Sequence, residues 1–461
     1  MSAELPIAAR MVELVRALAG PDAEAEVVVR HDTEALTRFA TSMIHQNVAE
    51  ATTGVRLRLH LDGRTTGASS TVTGPDGLRA LVERTIAAAR VSPPDAAWPG
   101  LIPPAALHLS SGGLGADGFD EATARATPEQ RAALVRDFVR AADGLETAGY
   151  CRTVAVSAAF ANTAGQAVEG RAVEAAFDGI ARLDGADGVA RLASPRLADL
   201  DGAALGARAA AKARAARQPV ELPPGHYEVV LEPDAVSDLL DNLAMFGFNG
   251  RAFAQRQSFA EPGVPQFDPS VTIVDDPRGS GLPFDDEGTP RQQLVLVREG
   301  VTTAVTHDRL SAAQAGGVST GHASPSSRSW GPMPAHLRME PGPAVVTDGP
   351  DFVVSSARPL VAGVRRGLLV SDFWYTRVLD QKSLVVTGLT RNGVWLIEDG
   401  EITAPVGNVR FTQSYPQALG PGRVLGIGGE SVLLPQAWGR ARWAAPALRL
   451  SEWNITGNAS G

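Results

Sequence analysis

A chain of 461 residues with 44% hydrophobic and 20% charged residues has the make-up of an ordinary globular protein, and is longer than one hydrophobic core usually supports, so two domains of about 200 residues are expected. A formal charge of −9, with no run of Lys or Arg, argues against a nucleic-acid backbone as main partner. The single cysteine, Cys151, excludes an internal disulfide framework and a multi-cysteine zinc site; with no apolar run of about 18 residues and no signal-like start at Met1-Ser-Ala-Glu-Leu-Pro6, a cytoplasmic protein without membrane spans is expected.

Ile7, Met11, Leu14, Val15 and Leu18 recur at helical spacing, which predicts a helix over Ile7 to Leu18. Strands are expected at Ala25 to Arg30, through Leu36 to Gln46, and at Val55 to Leu61, where Asp62-Gly63 turns the chain back into an antiparallel meander. His45, beside Met43 and Ile44 on a strand, reads as a satisfied structural histidine rather than a ligand. Leu78 to Arg90 is a further helix, stopped by Ser92-Pro-Pro94 and followed by a proline-rich stretch to Pro104. The Gly112 to Gly118 segment lacks the lysine of a phosphate loop and a clean preceding strand, so a surface loop is expected. Thr127-Pro128 opens an amphipathic helix over Glu129 to Ala142, and strands follow from Ala148 to Ala181 around a turn at Asn162 to Gly165. Ala203 to Arg217 is helical, with Gly206 its one weak position; its basic residues, with no aromatic interleaved, read as a solvated face. Gln218 to Gly225 is linker-like, which divides the chain into residues 1–217, a linker 218–225, and residues 226–461.

The second half opens with a strand, Tyr227 to Leu231, then Glu232-Pro-Asp234 and a helix with Val236, Leu239, Leu240, Leu243 and Ala244 on one face. Asn392-Gly393 and Asp399-Gly400 are expected hairpin turns, and Val345 to Thr347, Phe352 to Val354, Gly367 to Val370 and Ser383 to Thr387 expected strands. The tail from Trp453 to Gly461 has little to bury and is expected to fray. The class is α+β: an N-terminal α/β domain with an antiparallel meander and flanking helices, then a β-rich domain with an antiparallel sheet or partly closed barrel.

Among polar clusters, Asp275-Asp276 and Asp285-Asp286-Glu287 could hold a divalent cation through oxygen ligands. The same residues are what turns use to cap free backbone N–H groups, and that reading is favoured. Ser319, His322 and Asp308 could be written as a triad, but no Gly-x-Ser-x-Gly elbow supports it. His307, Asp308, Arg309, Ser319, Thr320 and Gly321 read better as a loop lining a substrate or partner surface. Phe373, Trp374 and Tyr375, in a chain with 5% aromatics, form either an interface or cleft wall, or a core strand with Phe373 and Tyr375 inward.

The succession Arg38-Phe39 with His45-Gln46, Val230-Leu-Glu-Pro233, Asp275-Asp-Pro277, Phe284-Asp-Asp-Glu-Gly288, Asp308-Arg309 ahead of Ser319-Thr-Gly321, and Leu396-Ile-Glu-Asp-Gly-Glu-Ile402 resembles the TldD/PmbA (TldD/TldE) metallopeptidase family across nearly the whole chain. In the family's catalytic subunit the helix after the first of the C-terminal strands carries His-Glu-x-x-x-His, two zinc ligands and a general base, with a cysteine of the C-terminal domain as remaining ligand. Here Asp241, Asn242 and Phe246 stand at those positions, and Cys151 lies in the other half. Zinc hydrolysis needs lone-pair donors at about 2 Å and a base for the bound water; Asn242 cannot be that base and Phe246 cannot ligate. The resemblance therefore implies a zinc-free TldE/PmbA-like subunit, in a heterodimer whose TldD-like partner supplies zinc and which cleaves unfolded or extended peptides held along a sheet edge. Two alternatives stand beside it: a homodimeric peptide-binding or scaffold protein, and an autonomous hydrolase that uses the carboxylates of Asp275 to Glu287 with Mg²⁺ or Mn²⁺.

Overall fold

Period-two alternation over long stretches makes the first half a sheet of long strands, because each alternate residue can face a helix-covered core. The computed structural model describes residues 2–107, 119–278, 281–345, 347–436 and 441–459, so the glycine-rich 112–118 segment lies outside the described residues. The first half runs α1 (Glu4–Ala19), β1 (Glu24–Ala40), β2 (Met43–Leu61), β3 (Arg64–Ser70), α2 (Pro75–Val91), α3 (Glu121–Ala124), α4 (Pro128–Ala141), β4 (Glu146–Asn162), β5 (Ala167–Leu183), β6 (Ala186–Ser194) and α5 (Gly202–Ala215). The strands form one antiparallel sheet in the order β3-β2-β1-β4-β5-β6. Helices α1 and α2 bury Met11, Val15, Leu81 and Val82 against Val27, Leu57 and Leu59, while α4 and α5 close a second core around Phe39, Phe138 and Phe177. A capping box between Thr127 and Gln130 starts α4. Gly206 lets α4 and α5 touch, since a Cβ there would lie 2.3 Å from the Phe138 carbonyl oxygen.

Three expectations for this half are corrected. Leu36 to Gln46 is not one strand but straddles the β1–β2 hairpin, where Thr41 and Ser42 adopt positive φ. The hairpin tip extends past the core, so His45 is exposed rather than a satisfied structural residue, and Met43 beside it is 66% exposed. The basic residues of α5 are not all solvated: Lys212 is buried, because α5 lies between the sheet and the second half of the chain and Glu232 waits there as its partner.

The second half comprises β7 (Gly225–Leu231), α6 (Pro233–Asn242) running into a π turn (Leu243–Gly247), α7 (Gly250–Ala254), β8 (Ile273–Asp275), β9 (Leu294–Arg298), β10 (Val301–Thr302), α8 (Arg309–Gln314), α9 (Ser327–Trp330), β11 (His336–Met339), α10 (Arg358–Val361), β12 (Arg366–Asp380), β13 (Val385–Glu398), β14 (Glu401–Val406), β15 (Val409–Ser414), α11 (Tyr415–Ala418), β16 (Val424–Ile427), β17 (Val432–Leu434), β18 (Arg442–Ala445) and β19 (Leu448–Asn458). One sheet has the order β12-β7-β19-β15-β13-β14, and β13 also pairs with β12, so β12, β7, β19, β15 and β13 close into a ring. A second sheet, β10-β9-β8-β11-β18-β17, lies across from it. Helix α6 fills the space between the two, burying Val236, Leu239, Leu240 and Leu243 against residues of both sheets. The linker-like stretch is pinned at Val220, whose N–H donates to Pro405 O at 2.9 Å and whose carbonyl accepts from Gly407 N at 3.0 Å.

Here too the structure departs from expectation. Asp399-Gly400 is the hairpin between β13 and β14, but Asn392-Gly393 is a bulge within β13, where that strand changes partner from β15 to β14. Both sites meet the same demand for positive φ, at 58° for Asn392 and 50° for Asp399, so the local signal is identical. Phe352 to Val354 forms a turn, and Val345 and Thr347 belong to no strand. The tail does not fray at Trp453: β19 runs to Asn458 between β7 and β15, and Trp453 is fully buried against Phe373, Phe411 and Tyr415. Among the described residues no helix is long and apolar enough to cross a membrane.

Candidate functional site

The two halves enclose a cleft of about 790 Å³. One wall is the long-stranded sheet, through Arg30 and Glu34 of β1, Arg152 of β4 and Glu174 of β5; the other is the end of α6 with Asp241 and Met245, the Phe284–Asp286 turn, His322, and His336, Arg442 and Trp443 of β11 and β18.

Helix α6 ends in a way that bears directly on the cleft. An α-helix turns about 100° per residue, so side chains five apart diverge by roughly 140°. The π turn, closed by Phe248 N to Leu243 O at 2.7 Å, widens the helix from Leu243 to Gly247; Asp241 lines the cleft there, whereas Phe246 does not. The side chains there do not fit a zinc ion. Asn242 spends its amide on the Asp238 carbonyl at 2.9 Å and carboxylate at 3.3 Å, and Phe246 packs on the apolar core. Asp241 accepts one hydrogen bond, from the Trp443 indole N–H at 3.2 Å, and burial alone pushes its carboxyl up to about 6. One turn earlier, Asp238 is driven to about 7 by burial, although the Tyr415 and Thr376 hydroxyls donate to it at 2.7 Å each.

The acidic pairs are occupied by the fold. Asp275 accepts from His322 Nε2 at 2.9 Å and from the backbone N–H groups of Ala335 and His336, and its carboxyl lies far below the usual range because His322 and these donors outweigh burial. Asp276 pairs with Arg278 at 2.7 Å. Asp285 accepts from the N–H groups of Glu287, Thr289 and Ala323, with burial raising its carboxyl, while Asp286 faces Arg56 and Glu287 bridges Arg58 and Arg309. Among the described residues no three His, Cys, Asp or Glu side chains converge on a metal position.

The written triad does not assemble. Asp308 caps α8 through Ser311 N at 2.8 Å, Ser319 Oγ donates to the His307 carbonyl, and His322 instead joins Thr320 Oγ1 to Asp275. Arg309 crosses between the halves to Glu26 and pairs with Glu287 in its own half, and Gly321 supplies positive φ at 78°. Phe373 is buried, stacked on Trp453 at 5.2 Å, whereas Trp374 and Tyr375 are 48% and 63% exposed and lie away from the cleft lining. Sequence reading missed Arg152, Glu174, His336, Arg442 and Trp443. Their only local signal is that Glu174 and Arg442 are charges within runs that pack as core strands; here Arg442 meets Glu174 at 2.6 Å and Arg152 meets it at 3.0 Å. His336 is buried, its Nδ1 has no hydrogen-bond partner among the described residues, and burial pushes its imidazole down to about 3, so the ring is neutral.

Residues 224–457 match a family model described as the PmbA/TldA metallopeptidase C-terminal domain. A metalloprotease TldD homologue of Haemophilus influenzae is 29% identical over 195 residues, a stretch that covers 41% of this chain and 38% of that protein, well under half the relative's length. The fold is similar to that of TldE from Thermococcus kodakarensis, with a TM-score of 0.84 at 18% identity over 98% of this chain and 100% of that one. It is also similar to a Thermotoga maritima protein described as a candidate modulator of a DNA gyrase, with a TM-score of 0.81 at 17% identity over 98% of this chain and 99% of that one.

Proposed function

The chain belongs to the TldD/PmbA metallopeptidase family, and from that premise we propose that it is a non-catalytic TldE/PmbA-like subunit of a two-subunit zinc peptidase acting on unfolded or extended peptides. The observation that carries this reading is the end of α6. The helix ends in a π turn at the wall of a cleft, where Asp241, Asn242 and Phe246 offer no zinc donor set. In this role the chain shapes one wall of a peptide chamber and holds the substrate in extended form. A TldD-like partner supplies the metal, its activated water and the general base. The carboxylates of Asp275, Asp285 and Glu287 speak against an autonomous metal hydrolase, since backbone N–H groups, His322 and arginines already use them.

The test is metal analysis and mass photometry of the chain alone and co-expressed with a His-Glu-x-x-x-His relative from the same genome. Zinc and peptidase activity are expected only in a 1:1 complex. A chain that by itself binds stoichiometric zinc and cleaves peptides would overturn the proposal, and a metal-free dimer indifferent to the relative would establish the homodimeric scaffold instead.

A further inference from the structure

Most of the buried carboxylates that line the cleft are matched by protein groups. Glu174 is held between Arg152 and Arg442, Asp286 by Arg56, and Asp285 by three backbone N–H groups. Asp241, at the C-terminal end of α6, has the Trp443 indole as its one hydrogen-bond partner and no cation near it among the described residues. A carboxylate drawn out of water without a counter-charge is costly, and it gains strongly from any cation that enters beside it. The same cleft holds a second unsatisfied group, His336, whose buried Nδ1 lacks a partner among the described residues. A neutral imidazole so placed suits the hydrogen bonds of an amide rather than a charge.

We propose that Asp241 and His336 form a receptor for the free amino end of an extended peptide, with Asp241 taking the α-ammonium group and His336 hydrogen-bonding an adjacent backbone amide. Arg152 stands on the sheet wall, and Arg442 reaches to the same Glu174 from the α6 side, so both positive charges are taken up at Glu174 while an ammonium is drawn to Asp241 and the remainder of the peptide lies along the sheet. This rests on the peptide-chamber reading and deepens it: the subunit orients its substrate by the amino end. It also gives a role to the position where the family's zinc motif has been replaced.

The test uses a lysine-free ten-residue Ala/Ser/Thr peptide with a fluorescent label at its C-terminus, in three forms: with a free amino end, N-acetylated, and N-acetylated with one internal Lys. Anisotropy titrations are run against the full chain, its Asp241→Asn variant, and its complex with the zinc-bearing relative. The free-amino form is expected to bind at least ten-fold tighter than either acetylated form, and Asp241→Asn, which keeps an oxygen for the Trp443 indole, is expected to abolish that preference. His336→Leu is expected to weaken the free and acetylated forms by the same factor. Equal binding of free and acetylated forms, a preference that survives in Asp241→Asn, or recovery by the internal Lys would each overturn the amino-end assignment while leaving the peptide chamber standing. Failure of all three peptides to bind any of the proteins would instead remove the peptide-chamber reading itself.

Discussion

The two ends of α6 are both buried, both charged and both wedged between the halves of the chain, yet they are built differently. At the N-terminal end, Glu232 accepts from Lys212, Ser371 and the Val354 N–H, and Lys212 and Glu232 are 1% and 0% exposed. Beside them Arg191 reaches from β6 to Asp178, Asp234 and Asp372 at once. At the C-terminal end, Asp241 has one partner and no counter-charge among the described residues, and it opens on a cleft. The contrast teaches that burial of charge does not by itself mark a site. Where donors and acceptors are matched, the ions fix how two bodies dock; where they are left over beside a cavity, a ligand is the natural complement.

The largest expected effect tests the matched end. Lys212→Ala strands Glu232 without its cation and should cost about 3–5 kcal/mol, read as a fall in the midpoint of chemical denaturation; a loss under about 1 kcal/mol would mean that the pair contributes little to docking. The opposite end should respond with the opposite sign. The Asp241 carboxyl is raised to about 6 in the fold from its ordinary value near 4, so the folded state holds the proton more tightly and stability falls as pH rises through that interval. Asp241→Asn is therefore expected to match the parent at pH 4 and exceed it by roughly 1–2 kcal/mol at pH 7. A variant less stable than the parent at pH 7 would show that Asp241 is matched after all. The smallest effect belongs to a residue at neither end: His45→Ala, on the exposed β1–β2 hairpin, should change stability by less than about 0.5 kcal/mol and leave peptide binding unaltered.

How much of this was legible beforehand depends on the range of the interaction. The long alternating runs, the capped start of α4 and the apolar stripe of α6 are local periodicities, and each became the expected element. The positive-φ dipeptides were equally legible as backbone demands, but whether such a pair ends a strand or bulges within it depends on the neighbouring strand: β14 turns back after Asp399-Gly400, whereas β12 continues past Asn392-Gly393. Trp453 was misread for the same reason, since a tail frays only if no sheet has an open place for it, and β7 and β15 provide one.

By itself the sequence determined the class of most of the long elements and that Asp241, Asn242 and Phe246 are not a histidine–glutamate–histidine set, because periodicity and ligand chemistry are properties of the residues present. Only the tertiary structure decided that Lys212 is buried, that β12, β7, β19, β15 and β13 close a ring, and that Glu174, His336, Arg442 and Trp443 share a cleft with Asp241. The reason is that desolvation and charge pairing depend on what lies across space: Asp241 meets Trp443 and Arg442 meets Glu174 only after strands far apart in the chain have been brought together, and no window along the sequence contains both partners.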